Sequence, residues 1–359
     1  MVFKTLNISG TLLDEKQLLK HIEDVANNYN IKMFSDKNTY PMDSLNKNYQ
    51  FILETYQILN EHIKLGMKIH SAGEWILDNF YIIEEVVKTI RKELSPNKYH
   101  KMIGVSSGPY DGFSRSYLLA EEVVSYTDCK LDAKTIFECL EAYQKNKMLS
   151  IDEIENFGVF LKISIVNKIK NICEKIYSSE VQRLKAESII ERIVENKNSN
   201  ERKFTNHIKT YNSLQDELKY PFIEYMSYKL KKFGKDSAEY LAILEEEVSK
   251  LGISAYDVVQ KEHLSIANLK IIMGNCIKSL RDIGRINFGE LLGKINGTET
   301  ILNKDPQGTY PYMDQESKNY YKSIIERLSK KTKISEIYIA EKIVELCNKE
   351  SEERKRHVG

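Results

Sequence analysis

Apolar residues along this chain recur at steps of three and four, and almost nowhere alternate at the period-two step of a half-buried strand. The clearest run is Ile76, Phe80, Ile83, Val87, Ile90 and Leu94, which share one arc of a helix turning about 100° per residue. Trp75 and Ile82 widen that arc, so this helix is expected to pack on two sides. Ser71, with Glu74 three positions later, has the spacing of a capping box, and Pro96 marks the stop. An earlier helix over 43–68 carries Ile52, Tyr56, Leu59 and Ile63 on one face. The same pattern predicts helices at 14–28, 113–126, 132–146, 150–177 and 179–195. Six more are expected at 213–233, 236–250, 254–283, 287–302, 314–331 and 335–354. The fold class is therefore all-α, an irregular array of about a dozen helices.

Polar, unpatterned residues 196–203 (NKNSNERK) read as a linker between two helical halves, 46–195 and 204–356, behind an N-terminal extension, 1–45, that holds one helix. Two Gly/Pro loops interrupt the helices, at 97–112 and 305–312. No fixed-period repeat is present, so a regular solenoid is not expected.

Charge removes whole classes of partner. Across 359 residues, 53 Lys and Arg face 52 Asp and Glu, a net charge of +1, which supplies no global attraction for nucleic acid or an anionic membrane. The five cysteines, Cys129, Cys139, Cys173, Cys276 and Cys347, are widely spread without a C-x-x-C pair, and read as reduced thiols. Charges at Lys4, Asp14 and Glu15 break the apolar runs that a signal peptide needs, and no stretch approaches the roughly 18 apolar residues of a membrane span. The expectation is a soluble piece.

Familiar catalytic signatures are missing. Gly289-Glu-Leu-Leu-Gly293-Lys294-Ile295 has its glycines one residue too close for a phosphate loop, and Ile295 stands where a magnesium-binding hydroxyl is required. The seven histidines form no H-E-x-x-H, no Cys/His set has zinc spacing, and no G-x-S-x-G or D-x-D occurs, so neither a cofactor nor a metal is expected. Glu74, Asp78 and Glu85 share a helical face with Tyr81, opposite the apolar arc. A cleft over that face could raise one carboxyl for acid–base chemistry, whereas Lys88 and Lys92 nearby suit a solvated stripe. Most of the 22 tyrosines sit at helical spacing beside aliphatics; Tyr110, Tyr117 and Tyr310 instead flank Gly/Pro loops and are candidates for binding.

Several runs resemble one family. Gly73-Glu-Trp-Ile-Leu-Asp-Asn-Phe-Tyr-Ile-Ile-Glu-Glu85 with Ile90-Arg-Lys-Glu-Leu94, and Gly108-Pro-Tyr-Asp-Gly-Phe-Ser-Arg-Ser-Tyr117, resemble segments near the N-terminus of cyclic β-1,2-glucan synthases. In the same order follow Gln260-Lys-Glu-His263, Gly274-Asn275, Ser279-Leu-Arg281, Asp305-Pro-Gln-Gly-Thr-Tyr310, Met313-Asp314 and Arg356-His-Val-Gly359, so the resemblance covers roughly 45–359. The chain departs from the pattern at Ser114, where the family often has proline, and at Gln315-Glu-Ser-Lys-Asn319, where it often has an arginine-rich helix.

Such synthases are large inner-membrane enzymes in which a helical N-terminal region precedes a membrane-embedded, UDP-glucose-dependent glycosyltransferase and phosphorylase-like domains. The resemblance implies a non-catalytic accessory domain on the cytoplasmic side of the inner membrane, whose partners are the rest of its own chain and β-1,2-glucan. The binding or interface candidates it marks are Trp75, Asp78, Asn79, Glu85, Tyr110, Arg115, Tyr117, Arg281, Asp305, Tyr310 and Asp314. Arg115 and Arg281 are expected to pair with Asp78 or Asp314 across helices. Two other readings stay open. One is an α/α-type carbohydrate-active fold with a carboxylate pair drawn from Glu74, Asp78, Glu85 and Asp314; the other is a pure interaction scaffold.

Overall fold

The computed structural model describes residues 8, 10–33, 35–67, 69–195, 201–213, 216–288, 297–332, 334 and 336–349. The near-miss phosphate loop at 289–295, the terminal 356–359 motif and residues 196–200 of the expected linker lie outside the described residues. What is described is an all-α, multi-helix array. Among the described residues extended pairing is limited to two antiparallel two-residue strands, β1 (Ile31–Lys32) and β2 (Gly104–Val105), and a single bridge between Gly104 and Ser114.

Helix starts follow side chains that accept the first orphan amides. Asp14 caps α1 (Glu15–Asn28) in a capping box with Gln17. Next come α2 (Met42–Lys64) and α3 (Ser71–Glu93). The cap of α3 is not Ser71 but His70, whose Nδ1 accepts from Ala72 N at 3.1 Å, and Glu74 turns outward to Lys270 at 3.1 Å. A neutral imidazole nitrogen does here what a hydroxyl was expected to do. Pro96 opens a short helix, α4 (Pro96–His100), where its missing N–H costs nothing. Then follow α5 (Arg115–Tyr126), α6 (Ala133–Gln144, capped by Asp132), α7 (Ile151–Glu155) and α8 (Phe157–Glu195). The break expected after Tyr177 is absent, because α8 runs unbroken through 39 residues with Ser179 and Gln182 buried against neighbours. Packing overrides the weak helix preference of the serines.

Helix α9 (Glu201–Asn212) was not expected, and it takes in the last three residues of the anticipated linker. Phe204 and Ile208, one turn apart, are buried on it. The array continues with α10 (Asp216–Phe233), α11 (Ala238–Ser249) and α12 (Ala255–Ile283), then helices Gly297–Leu302, Gln315–Thr332 and Glu336–Lys349. The first core gathers α1 to α3, α5, α6, α8 as far as Ile176, and α12 from Met273. A second joins α8 from Ala186 to α9, α10, α11 and Val258 of α12. A third, small one lies around Tyr310, Leu302 and Ile325. Among the described residues no helix is long and apolar enough to cross a membrane.

The loop before α5 is pinned by backbone contacts. Gly112 N donates to Val105 O at 2.9 Å, and Gly112 O accepts from Asp36 N at 2.7 Å and Thr39 Oγ1 at 2.8 Å. Ser114 uses the N–H that a proline would lack, donating to the Tyr99 hydroxyl at 3.2 Å. Arg115 then enters the protein. Its Nε and one terminal nitrogen grip both oxygens of Glu153 at 2.7 Å, and that nitrogen also reaches Met148 O at 2.6 Å. The expected pairing with Asp78 or Asp314 is thus replaced by Glu153, which sits on α7 in a capping box with Ser150. Both side chains are buried, so the fork-on-fork geometry and the extra carbonyl compensate lost hydration.

Two stability predictions follow from this region. Gly112 has φ +93, and a Cβ there would lie 2.7 Å from Asp36 Cβ, whereas Gly108, at φ +71, has open space around it. Gly112→Ala should therefore cost about 2–3 kcal/mol in urea denaturation, and Gly108→Ala about 1 kcal/mol. Arg115→Ala leaves the Glu153 carboxylate buried without its partner and should cost about 3–5 kcal/mol by the same measurement.

Candidate functional site

Most of the motif residues hold helices together. Trp75 lies across Gly274, where a Cβ would come within 3.1 Å of its ring. Asn79 interrupts α3 with non-helical angles (φ −129, ψ 15) and offers its Oδ1 to Arg281 at 2.6 Å. Arg281 therefore pairs with Asn79, not with Asp78 or Asp314. From α12, Asn275 donates to Asp128 O at 3.2 Å, while Ser279 donates to Cys129 O at 2.6 Å and accepts from Leu131 N at 3.0 Å. These contacts secure a turn in which Asp128 and Cys129 take left-handed angles without being glycine.

The remaining candidates scatter. Tyr117 is buried, stacked on Phe160 with ring centroids 5.4 Å apart, and its hydroxyl accepts from Asn167. Asp305 organises its own loop by accepting from Thr309 N and Tyr310 N at 2.9 and 3.0 Å. Tyr310 is buried under the Lys318 ammonium, 5.7 Å from the ring centroid. Asp78, Glu85 and Asp314 are exposed, as is Glu74. Asp314 caps helix Gln315–Thr332 through Ser317 N at 2.8 Å, a hydrogen bond that holds its carboxyl below the usual range. The four carboxylates weighed for acid–base chemistry thus lie on open surface. Among the described residues no set of His, Cys, Asp and Glu is arranged to hold a metal ion.

Tyr110 is the exception. It lines a cleft of about 290 Å³ between α1, α5 and the turn Gly108–Tyr110. Helix α1 contributes His21, Asp24, Val25 and Asn28, which share a face at i, i+3, i+4 and i+7. From α5 come Glu122 and Tyr126, one turn apart, and Tyr29 follows the end of α1. His21 Nε2 and Glu122 Oε2 lie 2.9 Å apart, and the His21 ring stacks at 4.3 Å, tilted, on Tyr126. Tyr29 and Tyr110 meet edge to face at 5.7 Å. Burial, then the Glu122 charge, raises the phenols of Tyr29 and Tyr110, so both remain hydroxyl donors at any physiological pH. The cleft thus offers aromatic surface, hydroxyl donors and carboxylate acceptors, with no Lys or Arg in its lining. At the lower end of the roughly 300–1,000 Å³ usual for small-molecule sites, it suits one uncharged polyhydroxylated ring.

Sequence reasoning missed its other members, and missed Glu121 beneath them. Glu121 is buried, accepts from Asn167 at 2.7 Å, and burial pushes its carboxyl up to about 7. One signal was present: Glu121 and Glu122 stand together inside the apolar run Leu118-Leu-Ala-Glu-Glu-Val-Val124, where a surface helix would not place them.

No family model matches the chain. Among curated proteins it is similar to the cyclic beta-(1,2)-glucan synthase NdvB of Rhizobium meliloti (strain 1021), with 22% identity over 300 residues. That alignment covers 84% of this chain and 10% of the relative, so the chain spans about a tenth of the length of the protein it matches. The ordered motifs and this alignment agree that the chain is a distant relative of the cyclic β-1,2-glucan synthases.

Proposed function

We propose that this chain is a non-catalytic region of a cyclic β-1,2-glucan synthase-like glycosyltransferase, working on the cytoplasmic side of the membrane. In this reading it docks to the transferase part of its own protein and holds a glucosyl unit of the growing glucan. The observation that carries the reading is the tyrosine-lined cleft of α1 and α5, whose chemistry suits a neutral sugar. Aromatic rings take the apolar face of a pyranose, while Glu122, His21 and Asn28 are placed to exchange hydrogen bonds with its hydroxyls. The exposed positions of Glu74, Asp78, Glu85 and Asp314 give no support to the carboxylate-pair alternative, which needs an enclosed acid.

Calorimetric titration of the chain with linear β-1,2-gluco-oligosaccharides tests this. Saturable binding in the micromolar to millimolar range is expected, weakened about tenfold or more by Tyr110→Ala, which removes roughly 1.4 kcal/mol of contact. Glu122→Gln should weaken it less, since an amide still accepts through its oxygen. No heat at millimolar oligosaccharide would overturn the holding role and leave docking alone.

A further inference from the structure

The motif Glu262-His263 belongs neither to the cleft nor to the α3–α12 joint. It lies where the first two cores meet. Along α8 the first core ends at Ile176 and the second begins at Ala186; along α12 the second ends at Val258 and the first begins at Met273. Between them runs a polar belt. Ser179, Glu180, Gln182, Ser227 and Glu262 are each buried there to within a few per cent of full enclosure. The belt is poorly satisfied: His62 Nδ1, Ser179 Oγ, Glu180 Oε1, Gln182 Oε1, Arg183 Nε and Ser227 Oγ are buried without a hydrogen-bond partner. Its ion pairs are long, with Glu180 Oε1 3.6 Å and Glu224 3.8 Å from Arg183, and His62 3.9 Å from Glu180. Arg115 and Glu153 show what a closed buried pair looks like in the same protein, at 2.7 Å.

We propose that this belt is a proton-controlled joint between the two cores, closed when Glu262 is protonated and His70 is neutral, and loosened when Glu262 ionises. Glu180 and Glu224 reach for one guanidinium, that of Arg183, at 3.6 and 3.8 Å, and buried Glu262 lies in the field of Arg183 and Glu224. Glu262 faces Arg183, which favours its charge, and Glu224 of α10, which opposes it. Helix α2 presents His62 to Glu180, α3 presents its cap His70 toward Arg183, and His263 turns out to Glu224 at 3.4 Å. Among the described residues no ion pair holds Glu262, so closing the belt around its ionised form requires either a proton or a gap.

Burial pushes Glu262 up to about 7, so its contribution to closure is full below the ordinary 4.5 and is lost as pH rises through about 7; burial raises Glu180 in the same direction. Burial, then Arg183, pushes His70 down to about 4 from its ordinary 6.5. Its contribution is full above 6.5 and is lost as pH falls toward 4. The two oppose each other between about pH 4.5 and 6.5, which leaves loosening above pH 6.5 as the net behaviour.

Hydrogen exchange of the α9–α11 amides, corrected for intrinsic rates, separates these terms. In the unaltered chain, protection should fall severalfold between pH 6 and 8. His70→Asn keeps a side-chain cap for α3 and removes the opposing group, so protection should fall about a hundredfold between pH 4.5 and 7. Glu262→Gln should remove most of the fall above pH 6, leaving only what Glu180 contributes. Protection that is flat with pH in the unaltered chain and in His70→Asn, or a fall as large in Glu262→Gln as in the unaltered chain, would overturn the joint.

Discussion

The contact between α3 and α12 is the constraint on which the rest depends. It closes a loop of about two hundred residues, an entropic cost that local helix formation cannot recover. Gly274 favours it, because a Cβ there would come within 3.1 Å of the Trp75 ring and push it away from α12. Asn79 completes it by leaving the helical path, so that its amide oxygen meets Arg281. The same stretch of α12 carries Asn275 and Ser279, which hold the left-handed turn at Asp128 and Cys129. That turn ends α5 and launches α6, and so sets where Glu122 and Tyr126 stand. The cleft is therefore positioned by residues that never touch it.

Buried charge is handled in two ways, and the contrast divides the molecule. In the first core Arg115 and Glu153 are closed by a bidentate grip, a carbonyl and a cap, while Glu121 accepts from Asn167 and burial raises its carboxyl to about 7. Networks with every member satisfied rigidify what they join. The belt between the cores keeps long pairs and orphaned acceptors, so its closed form gains little from electrostatics. The cleft belongs to the first core, on the side of the closed Arg115–Glu153 pair.

Legibility followed the range of the interaction. Helix α12 is read from its period to within a residue at each end of 254–283, and the starts expected at 14, 132 and 254 fall on Asp14, Asp132 and Ser254, whose side chains cap their helices. The His70 cap was not legible, because Ser71 and Glu74 offered a conventional cap one residue later. Helix α9 carries Phe204, Ile208 and Tyr211 at i, i+4 and i+7, a period that was present in the sequence beside the polar run 196–203, and these residues pack into the second core. The pairing of Arg115 with Glu153 lies 38 positions apart and that of Asn79 with Arg281 lies 202, and no periodicity encodes either. Tyr110 was legible as a loop tyrosine, but its neighbours on α1 and α5 are brought to it only by the packing of those helices.

The charge of the cleft bears on which sugar it is proposed to hold. A nucleotide-sugar donor carries a pyrophosphate, and proteins meet such groups with Arg, Lys, a helix N-terminus or a metal. The lining here has none of the basic side chains, and Glu122 and Asp24 add negative charge. Both features repel a nucleotide diphosphate and leave a neutral pyranose unaffected. In the proposed function the cleft is thus matched to a neutral glucan and not to a nucleotide-sugar donor. A region that binds product without touching donor can steer a growing chain without taking part in the transfer, which is what separates holding from catalysis in this reading.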